Sequence, residues 1–156
     1  MNASASLFRW VCLPGVLLAF AIPALVFLLC ALLADLTLME SLRATGEQFV
    51  SERRHLWGCG LLGMFPVVLL TGLGWLLGRW LEPLRTRRIT QAGLLAIVLV
   101  LVWVNLEFWP GYLPDRAFRG FPHGLEFVIG PIYFAPPVML LFMLCAWIVT
   151  RRNARR

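Results

Sequence analysis

The chain contains no lysine, so all 14 of its basic residues are arginine. Charge of either sign is scarce: charged residues make up 14% of the 156, against about a quarter in soluble domains. Two histidines and eight acids leave little material for acid–base or metal chemistry, and no His-x-x-x-His or His-Glu-x-x-His spacing occurs. The four cysteines form no Cys-x-x-Cys pair, which excludes a thiol redox motif and a dense disulfide scaffold. There is no phosphate-binding glycine loop, no Gly-x-Ser-x-Gly and no internal repeat. These absences disfavour a nucleotide enzyme, a hydrolase and a transporter built from inverted halves. The lysine deficit is attributed to codon usage rather than to a chemistry that needs guanidinium groups.

What fills the chain is apolar: 60% hydrophobic residues and a mean hydropathy of +0.81, beyond the range of a soluble domain. Four runs come near the roughly 20 residues that cross about 30 Å of hydrocarbon. They cover about 11–34, 56–78, 89–109 and 127–149. The first run is longer than a signal-peptide core and lacks a small-x-small site near Ala34, so it is expected to stay as an anchor. The predicted fold is all-α, a single integral membrane domain over 1–156 built as a four-helix bundle. Its fourth helix is expected to be broken by Gly130, Pro131, Pro136 and Pro137, because an interior proline removes a donor and clashes with the preceding turn. That segment either spans after a bend or re-enters.

The arginines orient the chain. Arg9, Arg79, Arg85, Arg87, Arg88, Arg151, Arg152, Arg155 and Arg156 fall on one side, and Arg43, Arg53, Arg54, Arg116 and Arg119 on the other. Seven of the eight acids lie on that second side, leaving only Glu82 among the nine arginines. The positive-inside rule then predicts both termini in the cytoplasm, within a bacterial cytoplasmic (inner) membrane. The excess charge is expected to touch anionic headgroups there, and it does not indicate nucleic acid.

Two kinds of candidate site emerge. On the second run Gly60, Gly63, Gly74 and Gly78 fall on one smooth stripe, and such stripes let membrane helices approach closely, within a chain or against a partner. The aromatics Trp109, Tyr112, Phe118 and Phe121 in the second outer loop, after the third run, suit either a headgroup belt or a recognition surface. Separately, Asp35, His55, Glu107, His123 and Glu126 all fall near the outer boundary, where a carboxylate is costly unless paired or hydrated. They form a possible polar site at the periplasmic mouth of the bundle. Cys30 and Cys59 are placed at similar depth, so a disulfide between them is geometrically thinkable. Residues 38–52 alternate apolar and charged side chains as a short surface helix would. The function expected is non-catalytic, with no cofactor or metal: binding of another membrane protein, or of a second copy, as an accessory subunit or as an immunity or regulatory protein. The alternative is a small transporter or membrane enzyme that uses the polar mouth.

Overall fold

A computed structural model describes residues 8–51, 53–113 and 128–153. The described residues form helices joined by short turns at 34–37 and 78–82, with no strand among them. Helix α1 (Leu13–Leu33) follows a π turn at Phe8–Cys12, and α2 (Leu38–Gly46) is a short helix continued by a π turn at Glu47–Ser51. Helices α3 (Arg53–Leu77) and α4 (Pro83–Phe108) come next, α4 ending in a 3-10 turn at Trp109–Tyr112. Helix α5 (Ala135–Asn153) is entered through a π turn at Gly130–Phe134. Four runs are long and apolar enough to cross a membrane: Arg9–Leu33, Arg53–Leu77, Pro83–Tyr112 and Gly130–Arg152.

The third run is the longest at 30 residues. At 1.5 Å per residue it extends about 45 Å, more than the roughly 30 Å of hydrocarbon it would cross. Its first turns, which carry Arg85, Arg87 and Arg88, and its aromatic last turn would therefore project beyond such an apolar zone. Half of its apolar window is buried, against 17% for the fourth run. Helix α4 is accordingly the pillar of the bundle, packed on α1, α3 and most extensively on α5. Its inward stripe runs through Ile89, Gly93, Ala96, Ile97, Val100, Leu101 and Val104, three and four residues apart as an α-helical face requires.

The expectation of a proline-broken fourth helix needs correction. Helix runs without interruption from Val128 through Asn153, and Pro136 and Pro137 lie in its first α-helical turn. The preceding turn widens instead of breaking: the Ala135 N–H bonds the carbonyl of Gly130, five residues back. The extra residue moves the carbonyls of that turn away from the two pyrrolidine rings, which removes the clash that would end a regular helix. Gly130 is buried against Val104, leaving no room there for a side chain, so the widened turn packs closely on α4.

Helix α1 stops at Asp35, the one non-glycine residue with positive φ among the described residues, at 63°. Aspartate tolerates this left-handed geometry better than most residues. Thr37 then starts α2 with a reciprocal cap. Its hydroxyl meets the Glu40 carboxylate at 2.6 Å and its backbone N–H donates to the same oxygen at 2.9 Å. The Glu40 N–H donates to the Thr37 hydroxyl at 3.4 Å. These bonds, the hydroxyl first and the backbone second, hold the Glu40 carboxyl below its ordinary range.

A pH dependence follows. A depressed carboxyl pKa contributes helix stability in full above the unfolded value and loses it as pH falls through the folded one. The protection of α2 amides, corrected for the intrinsic pH dependence of exchange, is therefore expected to fall on acidification below the ordinary carboxylate range while the protection of α4 stays unchanged. Glu40→Gln, which still completes a capping box, should abolish that dependence, and its survival in the variant would assign it to another group. The exposed Arg43–Glu47 pair at 3.0 Å adds little, as surface pairs do.

Candidate functional site

The two ends of the bundle differ in chemistry. At the end capped by α2, Trp109 is buried in a cluster with Phe27, Phe49 and Phe108 at centroid distances of 5.5, 5.0 and 5.0 Å. Its indole N–H donates to the Asn105 side-chain carbonyl at 2.7 Å, and the Asn105 amide donates to the Leu101 carbonyl, also at 2.7 Å. A buried polar pair with its bonds made inside one helix is stable but offers little to a ligand. Tyr112 is exposed and stacks on Phe108 at 4.9 Å. The two aromatics therefore part company: Trp109 is core, and Tyr112 remains at the surface.

His55 is the one described histidine, half-buried on the first turn of α3, with its ring centroid 6.4 Å from that of Trp109. Its Nδ1 lies 3.1 Å from the Gln48 side-chain nitrogen and 3.3 Å from the Gln48 carbonyl. Either tautomer is thus satisfied, accepting from the amide or donating to the carbonyl. Glu107 and Asp35 are exposed. Glu107 stands two residues from both Asn105 and Trp109, which places it on the opposite side of α4 from their buried face. Among its described members the polar mouth does not converge, since only His55 turns inward. No group of three His, Cys, Asp or Glu side chains placed to hold a metal occurs among the described residues. His123, Glu126, Phe118 and Phe121 lie outside the described residues.

The glycine stripe is taken up inside the chain. Gly60 lies against Phe20 and Gly63 against Ala19, so both glycines serve the contact between α1 and α3. Gly74 is buried, and Gly78 lies at the end of that helix beside Thr86. The same register puts Gly15 opposite Val67. By continuation Cys59 faces the turn around Pro23, about 10 Å along the axis from Cys30 at 1.5 Å per residue. Neither cysteine is in a disulfide, and this offset is too large for one between them.

The opposite end gathers arginine and tryptophan. The Arg79 guanidinium sits 3.9 Å from the Trp75 ring centroid, Arg87 3.9 Å from that of Trp10, and Arg151 5.5 Å from that of Trp147. Arg85 reaches across to α5, donating its Nε–H to the Thr150 hydroxyl at 3.3 Å. Two of the stacks join arginine and tryptophan four residues apart on the same stretch of chain, a spacing readable in the sequence. The Arg87–Trp10 and Arg85–Thr150 contacts join distant segments and carry no such sign.

Together these features define a class: an all-helical protein with four helices long and apolar enough to span a membrane, an aromatic core at one end and an arginine-rich end at the other. No family model matches the chain, and no curated protein or solved structure is similar to it.

Proposed function

We propose that the protein acts without catalysis, by binding another membrane protein through the outward face of α5. The carrying observation is the contrast in burial between the fourth run, at 17%, and the third, at 50%. Helix α5 leans on the pillar by one side only, and Leu140, Leu141, Leu144 and Ile148 stay exposed along the other. The interior is a poor alternative because its small residues are already filled by neighbouring helices and its polar pair is satisfied internally. The arginine balance of the sequence supports a bacterial cytoplasmic membrane with both termini inside, which puts the α2 end at the periplasmic face.

Copurification from native membranes in mild detergent tests this reading. A defined partner is expected to accompany the wild-type chain and to be lost from Leu141→Trp and Leu144→Trp. Lipid accommodates an added indole at these positions, whereas a packed helix does not. Circular dichroism should show unchanged helicity in both variants. If both retain every partner, the α5 face is not the docking surface.

A further inference from the structure

We infer that the arginine end is a discrete binding site for the phosphodiester of an anionic glycerophospholipid, centred on Arg85 in the seam between α4 and α5. Seven described arginines (Arg9, Arg79, Arg85, Arg87, Arg88, Arg151 and Arg152) share this end with one acid, Glu82. The Arg43–Glu47 ion pair is at the opposite end. Positive charge therefore accumulates at the rim of an apolar bundle with Glu82 as the one acid among the described residues of that end, so an anionic headgroup is the available further counter-charge.

The planar guanidinium groups are also arranged for a multidentate oxyanion. Arg79, Arg87 and Arg151 lie with their charge over indole rings. Such contacts hold a guanidinium in place while leaving N–H donors for phosphate oxygens. Arg85 is fixed differently. Thr150 donates its own hydroxyl hydrogen back to the carbonyls of Ala146 and Trp147 at 2.8 and 3.0 Å. That leaves the hydroxyl oxygen to accept from Arg85 Nε, which aims the guanidinium along the seam. Nη2 of Arg85 is enclosed there and meets no acceptor. A buried charged donor without an acceptor is costly, and a phosphate oxygen entering the seam supplies the missing one as a charge-assisted bond. Arg88 lies one turn further along α4 and Arg151 follows Thr150, so further positive charge flanks the same seam.

A lipid is the source that fits, because the surroundings are apolar as well as basic. Trp75 is 51% exposed, Trp80 81% and Leu84 70%, and exposed indoles at a span end suit the headgroup layer. This inference stands apart from the α5 partner proposal, and the failure of one leaves the other intact.

The test is native mass spectrometry of delipidated protein titrated with phosphatidylglycerol and with phosphatidylcholine of the same acyl chains. The wild-type chain should prefer phosphatidylglycerol about tenfold or more, the scale of one charge-assisted hydrogen bond. Arg85→Gln should lose most of that preference, while Arg152→Gln, an identical change of charge, should keep it. Thr150→Val keeps every charge and removes the acceptor that aims Arg85. It should weaken the preference too, and it carries the test if Arg85→Gln fails to fold. Absence of any preference in the wild type overturns the proposal, as do equal losses in Arg85→Gln and Arg152→Gln, which would mean diffuse attraction. Millimolar inorganic phosphate that binds alone and displaces the lipid completely would overturn the lipid assignment in favour of a free phosphate.

Discussion

Truncation of Trp109 to alanine is expected to cost about 3–5 kcal/mol, the range for removing a large buried aromatic. The indole is 1% exposed and touches rings from three parts of the chain: Phe27 of α1, Phe49 of the turn after α2, and Phe108 of α4. Each edge-on pair contributes on the order of 0.5–1.5 kcal/mol beyond area burial, so one truncation loosens α1, α4 and the α2 segment together. The hydrogen bond to Asn105 separates packing from polarity. Asn105→Leu leaves the indole N–H buried without an acceptor, a loss of about 1–3 kcal/mol. Trp109→Phe keeps most of the ring and leaves the asparagine carbonyl unpaired. Combining the two substitutions removes both ends of the bond, and the double variant should lose less than the sum of the singles. Denaturant unfolding in mild detergent measures all four proteins. A Trp109→Ala chain within about 1 kcal/mol of wild type would show that the cluster does not close this end of the bundle.

The four runs are legible because the apolar demand of a bilayer is long and contiguous, while the helices extend past the ends of the apolar runs. Helix α4 begins at Pro83 rather than near residue 89; the composition turns basic at Arg85, but arginines on an emerging helix do not end it. Helix α3 likewise starts at Arg53, three residues before the apolar run does. The break expected at Pro136 and Pro137 rested on regular helix geometry, which the π turn at Gly130–Phe134 evades. No local pattern announces that turn, because it is made possible by the fit of Gly130 against Val104.

Within the candidate sites, the periodicity of small residues placed the glycine stripe on one face, yet it could not say whose helix covers that face. The register between α1 and α3 answers that for Gly60 and Gly63. Placing polar residues by depth along a span proved weaker than placing them by angle. Glu107 and Asn105 lie at nearly the same depth, but α-helical rotation sends one outward and the other into the core. Trp109 follows the same rule, since a tryptophan at a span end suits a headgroup belt by depth, but its four-residue spacing from Asn105 puts it on the buried face. The seam contact of Arg85 with Thr150, 65 residues apart, lies beyond any local pattern.

The contact between α1 and α3 supports the remaining prediction, which uses the smallest possible addition. A Cβ on Gly15 would lie 2.6 Å from Val67 Cγ1, 3.2 Å from Cγ2 and 3.3 Å from Leu94 Cδ1. Val67 is 1% exposed, and a β-branched side chain in a helix has essentially one rotamer. It cannot swing aside, so α1 must move away from α3, which loosens its seat on α4 as well. Membrane helices associate through close approach rather than through the hydrophobic effect, so this separation is costly. Overpacking of about 1–3 kcal/mol outweighs the gain in helix propensity from glycine to alanine, which is at most about 1 kcal/mol. Gly15→Ala should therefore lower stability in detergent, and Val67→Ala in the same chain should restore part of the loss by making room for the new methyl. Gly72 supplies the contrast, since nothing lies within 4 Å of the Cβ it would gain. With no neighbour to displace, Gly72→Ala should be neutral or stabilising. If Gly15→Ala and Gly72→Ala unfold alike, α1 and α3 are not packed at the glycine register that sets Cys30 apart from Cys59.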